Sequence, residues 1–322
     1  MDNNYNKEIK NQSHDEIDLK KLFLILWGKK YLIITLTLMS AFISVFIALN
    51  KPNIYKSTAL VTVIESSTGG GISSNLSSQY GGLASLAGIS LPSSGGADKT
   101  SLAIETIKSR SFFRYLIKEN DILPMLMAAE SYNPISKQLI LDSEAYDSDL
   151  KLWLKDENGI NYAPSFLESY DIYRSLLSIT KDQETGYLNM SIINLSPVFA
   201  EYLLSLIIAE VNVLTREKDL NESDRAMKYL ISLAAETSIA GVKNSINKLI
   251  ESQLETQMLA NINEDYLLQS LDPPFIPELK FAPVRSQIAI FGTITGCFLS
   301  IFLVLFYSMF FSSNQFIKFI KD

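Results

Sequence analysis

Cysteine and histidine are almost missing: the 322 residues hold one of each, Cys297 and His14. Cys297 lies inside an apolar run, so no disulfide can form between Asn50 and Gln287, and the fold there must rest on its own core. His14 lies in the N-terminal tail, which leaves the same stretch without a histidine-based metal site or a Ser-His-Asp triad. Positive charge is scarce too, with 28 Lys and Arg against 35 Asp and Glu and a net charge of -7. That balance, with no basic stripe to offset it, argues against a nucleic-acid binder. Glycine and proline number only 14 and 10, and the prolines are unevenly placed. Four of them crowd into "DPPFIPELKFAPVR", Asp272 to Arg285, whereas Glu222 to Leu271 has none and a single glycine, Gly241.

What the chain has in excess is apolar residues, at 47% with a positive mean hydropathy. The excess sits in two blocks without a charged side chain, Tyr31 to Leu49 and Ile288 to Phe311. As helices they reach roughly 28 and 36 Å, against a hydrocarbon core of about 30 Å, so each can span a membrane. The first block begins at residue 31, is longer than the apolar core of a signal peptide and is followed by "FIALNKPNIY" without an Ala-x-Ala site. It reads as an uncleaved anchor. Neither block carries the polar positions that a helix facing solvent on one side would show.

Lysines set the expected orientation. Lys7, Lys10, Lys20, Lys21, Lys29 and Lys30 precede the first block, and Lys318 and Lys321 follow the second. Both termini are therefore expected in the cytoplasm, with 50–287 as one domain across the membrane. Lys51, Lys56, Lys280 and Arg285 flank the spans on the far side and moderate this bias.

Along the chain, residues 1–30 read as a polar tail that leads into an interfacial amphipathic helix, Glu16 to Trp27, with Asp15 as N-cap. The β-branched "IYKSTALVTVIE", Ile54 to Glu65, predicts a strand directly after the first span, 31–49. A Gly/Ser-rich segment follows whose "GGLASLAGISL" is too apolar for a plain linker. Its Gly69 to Gly71 lack the Lys-Ser/Thr of a phosphate loop. Thr100 to Leu126 has helical spacing, interrupted near Ser109 and stopped before Pro124, and Leu176 to Leu195 alternates on both sides of "DQETG" as a β-hairpin does.

From Ser196, an N-cap ahead of Pro197, the chain turns helical. A continuous helix over about 222–270 would make a rod of roughly 70 Å, with Leu230, Leu233, Val242, Ile246 and Leu249 as a narrow stripe suited to a neighbouring subunit. Asp272 then ends the helix, and Pro273, Pro274, Pro277 and Pro283 make 272–285 an extended return segment before the second span, 288–311, and a short tail, 312–322. The fold class expected is an α+β membrane protein: two transmembrane helices flank an external domain with a small membrane-proximal mixed sheet and a long extended helix. Carboxylate neighbours such as Glu264 with Asp265 and Asp147 with Asp149 read as solvated faces, and no motif for nucleophilic, metal or nucleotide chemistry stands out. The expectation is a non-enzyme without cofactor or metal.

The segments "IDLKKLFLILWGKKYLIIT", "NIYKSTALVTV", "GGLASLAGISL" and "LIESQLETQMLANINEDYLLQSLDPPFIPELKFAPVR", in this order around two spans, resemble the bacterial polysaccharide co-polymerases, the Wzz-type O-antigen chain-length determinants. The family's collar is more basic around its prolines than "PELKFAPVR". The resemblance implies a membrane-proximal α/β base, a long projecting helix and a ring-like homo-oligomer in the inner membrane. It also implies regulation of lipopolysaccharide O-antigen length together with a separate membrane-embedded polymerase, with the growing glycan and the lipid bilayer as further partners and no glycosyl transfer by the chain itself. The competing reading is a two-span periplasmic scaffold or adaptor for a polysaccharide export or secretion complex.

Overall fold

Strand β1, Tyr55–Val63, forms where the sequence expects it, and the sheet is built around it. The computed structural model describes residues 26–64, 99–155, 159 and 162–311. The expected amphipathic helix up to residue 25, the segment 65–98 and the tail 312–322 lie outside the described residues. Two units result: one takes the chain up to Pro52 and from Pro283, the other is Asn53–Ala282.

In the Asn53–Ala282 unit, β1 has β7 (Leu188–Asn194) on one side and β8 (Leu268–Asp272) on the other, and β6 (Leu177–Lys181) completes the order β6-β7-β1-β8. All three pairings are antiparallel. The expected mixed sheet is therefore corrected. A tight hairpin joins the neighbours β6 and β7, and the pair of helices between β7 and β8 carries the chain across β1 to its other side. The β6–β7 turn is set by Asp182, whose carboxylate accepts the N–H groups of Glu184 and Thr185, and by Gly186 at φ 75°. Those two N–H groups hold the Asp182 carboxyl below the usual carboxylate range.

Helices α2 (Lys99–Lys108) and α3 (Arg110–Glu119) are separated at Ser109, which caps α3 by accepting from Phe112 N. Pro124 does not stop a running helix. The chain has already left helix at Asn120, and Pro124 sits in the first turn of the short α4, Leu123–Met127. Two small hairpins follow that the sequence did not suggest, β2 (Ala129–Asn133) with β3 (Gln138–Leu141) and β4 (Tyr146–Asp147) with β5 (Leu152–Trp153). Helix α5, Phe166–Leu176, stacks Tyr173 on Phe113 of α3 with ring centroids 4.9 Å apart. Its Tyr170 and Tyr173 hydroxyls donate to the carbonyls of Lys108 and Ile107 at the carboxyl end of α2.

Helix α6, Pro197–Glu236, starts as expected with Ser196 accepting from Phe199 N and proline in the first turn. Phe199, Leu203, Leu204, Ile207 and Val211 are buried against the sheet core that Ala59, Val61, Met190 and Ile192 provide. At about 1.5–3 kcal/mol for each large side chain withdrawn from water, this first half of α6 is the main fastening of helix to sheet. The rod over 222–270 is corrected. Helix α6 ends at Glu236, Thr237 is extended (φ -93°, ψ 123°), and α7 runs back over Ala240–Ile262. Asp272 therefore ends β8 rather than a helix.

The other unit pairs α1, Lys30–Asn50, with α8, Arg285–Phe311; α1 exceeds the expected span at both ends and α8 only at its start. By length and composition three helices could cross a membrane, the third being α6, so the expected count of two does not follow from those criteria. Burial separates them: 44% of the most apolar window of α6 is buried in its unit, against 11% for α1 and α8. The apolar character of α6 is explained by its place on the sheet.

Candidate functional site

Helix α6 carries polar residues at Asn212, Arg216, Asp219 and Ser223, a spacing of four, three and four that puts them on one face. Each holds the returning chain. Asn212 Oδ1 accepts from Leu267 N at 2.9 Å and Leu268 N at 2.7 Å, while its Nδ2 donates to Leu268 O at 2.9 Å. The side-chain amide thus stands where a fifth strand would pair with the edge strand β8. Arg216 donates to the carbonyls of Asn263 and Glu264, placing a cation at the carboxyl end of α7. Asp219 Oδ2 accepts the Tyr266 hydroxyl at 2.7 Å, and Ser223 Oγ donates to Gln253 O at 3.0 Å. This ladder was not seen in the sequence. Its signal is the four-three-four spacing, masked in the sequence by the charged run "TREKDLNESDR" around it.

Burial dominates the electrostatics of the ladder. Burial first, opposed by the Tyr266 hydrogen bond, raises the Asp219 carboxyl above its ordinary value, with Lys218 and Lys99 lowering it more weakly. Burial and Asp219 together push the Tyr266 hydroxyl up, burial alone dominates at Tyr173, and Tyr115 is pushed up to about 12 by burial and by its hydrogen bond to Glu210. These phenols stay protonated at neutral pH. A cleft of about 230 Å³ beside Asp219 and Tyr266 is lined by Lys99, Thr106, Thr215 and Lys218 with Leu102 and Leu214. It offers donors and one engaged carboxylate.

The expected inter-subunit stripe comes together inside one chain. Leu230, Ile246 and Leu249 are buried in a cluster that Leu233 and Val242 flank, so the five residues zip α6 to α7 in an antiparallel hairpin. The narrowness of the stripe reflects one partner helix, supplied by the same chain. Outward from the hairpin point Tyr229, Ile231, Leu254, Met258 and Ile262, all exposed.

The prolines of the return segment have separate stations. After β8 the strap runs extended: Ser57 Oγ donates to Phe275 O at 2.8 Å, and Ile54 exchanges backbone bonds with Phe281 and Ala282. Pro277 is buried, Pro274 and Pro283 are half-buried, and Pro273 is exposed. The strap therefore closes the unit at the end where β1 enters it. Asp147, one of the carboxylates noted in the sequence, is a turn former that accepts from Asp149 N and Leu150 N. Among the described residues no group of three or more His, Cys, Asp and Glu could hold a metal ion.

Within the helix pair, Gly292 faces Ser44 and Gly296 faces Ser40, and Ser40 Oγ donates to Gly292 O at 3.1 Å. A Cβ on Gly292 would stand 1.8 Å from Ser44 Oγ, and one on Gly296 would stand 2.1 Å from Ser40 Oγ. Only glycine permits this approach. It is a small-xxx-small seam on both helices, legible as Gly292-x-x-x-Gly296 and Ser40-x-x-x-Ser44 but not read there.

A solved structure described as a full-length bacterial polysaccharide co-polymerase is 12% identical, with 93% of this chain and 99% of that chain covered, at a TM-score of 0.39. A fragment of WzzB, a polysaccharide co-polymerase from Salmonella Typhimurium, is 11% identical, with 71% and 100% covered, at 0.29. Neither likeness is close enough to carry an argument. No curated protein matches the chain. The family model that does match is Wzz, chain length determinant protein, over residues 15–120, and it is this family that the chain is similar to through α1, β1, α2 and α3.

Proposed function

We propose that the chain is a non-catalytic regulator of polysaccharide chain length, acting on lipopolysaccharide O-antigen as an oligomeric co-polymerase beside a separate membrane-embedded polymerase. The observation that carries this reading is the insertion of an α/β unit with a helical hairpin between two apolar helices, closed where it begins and ends by the Ile54–Ala282 bridge. The family match through the first of those helices and β1 supports it. In this reading α1 and α8 span the inner membrane, both termini are cytoplasmic and the Asn53–Ala282 unit is periplasmic. The outward apolar residues of the hairpin then meet another copy of the chain, the surface on which a ring would close. Chemistry stays with the polymerase, and the regulator contributes shape and number of subunits.

Deleting the gene in its host and resolving the surface polysaccharide on a gel tests this. The modal length band is expected to spread into an unregulated distribution and to return on complementation. An unchanged distribution would overturn the proposal.

A further inference from the structure

The strap between Phe275 and Phe281 turns apolar side chains outward. Phe275, Ile276, Leu279 and Phe281 are all exposed within seven residues, and Leu279 is 85% exposed. Isolated exposed apolar residues are ordinary, but a contiguous set calls for a cover. These side chains cannot fold inward, because the strap is pinned at both ends. Ser57 holds the Phe275 carbonyl, Ile54 holds Phe281 and Ala282, and Pro277 is the one buried residue of the arch.

Two further observations say what covers the set. The strap lies where both ends of its unit meet: Asn53 follows α1 by three residues and Ala282 precedes α8 by three. Chain connectivity alone keeps Phe281 within about 14 Å of Arg285, the start of α8. Two lysines lie beside the last aromatic ring of the strap, with Glu278 as the one acid of the arch. Lys56 Nζ lies 5.1 Å from the centre of the Phe281 ring, and Lys280 adjoins it in sequence. An aromatic face beside a lysine matches the boundary of a bilayer, where rings sit at headgroup depth and ammonium groups meet phosphates.

We infer that the Phe275–Phe281 strap is a membrane-docking surface whose occupant is the phospholipid interface, with Leu279 and Phe281 entering the headgroup region and Lys56 and Lys280 meeting lipid phosphates. The inference rests on reading α1 and α8 as spans. It adds a second, peripheral hold on the bilayer beside the two spans.

The test uses the full chain in vesicles of phosphatidylethanolamine and phosphatidylglycerol. A nitroxide is placed by Leu279→Cys or Phe275→Cys in a Cys297→Ser background, and its accessibility to oxygen is compared with that to a water-soluble nickel chelate. Ile239→Cys, at the turn of the helical hairpin and 65% exposed, is the aqueous control, and native Cys297 is the control inside α8. Labels at 275 and 279 are expected to favour oxygen over chelate severalfold more than the label at 239, and less than the label at 297. If they match position 239 while Cys297 remains lipid-immersed, the docking surface is refuted and the spans stand. A water-accessible Cys297 refutes both. Shielding at 275 and 279 that occurs in native membranes but not in pure lipid vesicles would assign the strap to a protein partner, which also overturns the inference.

Discussion

Replacing Asn212 gives the sharpest test of how the returning chain is held. Its side chain is 4% exposed and makes three hydrogen bonds, two from backbone N–H groups of Leu267 and Leu268 and one to the Leu268 carbonyl. A typical buried bond contributes about 1 kcal/mol net, and a donor left dry costs about 1–3 kcal/mol. Asn212→Ala opens space toward a cleft of about 400 Å³ that Asn212 itself lines, so water can reach the freed groups. A loss of about 2–3 kcal/mol is expected. Asn212→Leu fills the same space without a polar atom and keeps water out, so about 4–5 kcal/mol is expected although more apolar area is buried. Urea titration of the full chain at constant detergent, followed by far-ultraviolet circular dichroism, gives the order. Amide exchange at Leu267 and Leu268 gives the location. The reasoning fails if the leucine variant is as stable as the alanine variant, or if exchange there is unchanged.

Other expectations follow from the same geometry. Gly292→Ala and Gly296→Ala each force α1 and α8 apart, so thermal stability in detergent should fall for both, while Phe298→Ala on an exposed face of α8 should leave it nearly unchanged. The raised Asp219 carboxyl favours the protonated form in the folded chain; its stabilisation is present below the unfolded value of 3.8 and lost as pH rises through the folded value. Asp219→Asn should therefore gain stability relative to the parent at pH 7 and lose that advantage as pH falls toward 4, measured by urea midpoints across pH. Asp182→Asn should show the opposite slope, since its depressed carboxyl stabilises above 3.8 and ceases to as pH falls through the folded value. Tyr173→Phe removes the hydroxyl that the Ile107 carbonyl accepts and should cost about 1–2 kcal/mol by the same titration. Leu254→Glu, on the outer face of the hairpin where the proposed contact between copies lies, should lower the mass of the detergent-solubilised chain in light scattering without changing the helix content.

Much of the fold is legible because local chemistry and tertiary contact agree. The β-branched run of β1, the Asp182–Gly186 turn and the Ser196–Pro197 helix start are specified by residues next to one another in sequence. The hairpin turn is not. Thr237, Ser238 and Ile239 hold no proline or glycine, and Gly241 lies inside α7, so propensity alone allows one long rod. What breaks it is the pairing of Leu230 with Ile246 and Leu249, a contact that exists only after the chain has turned. Strand β8 was hidden for a like reason: "LQSLD" is a poor strand until Val63 pairs with Leu268 and Asn212 satisfies its other edge. The prolines of the strap were found, but which of them turns inward, Pro277, depends on where Ser57 and Ile54 grip it.

Helix α6 has forty residues and is clamped to the sheet through its first half only. At 1.5 Å per residue the unclamped half is a lever of roughly 30 Å, so each degree of rocking at its root displaces the hairpin turn by about 0.5 Å. Small rearrangements around β1 and β7 are thereby amplified at Thr237–Ile239, and the stiffness of the Asn212–Ser223 ladder sets how much of that motion survives.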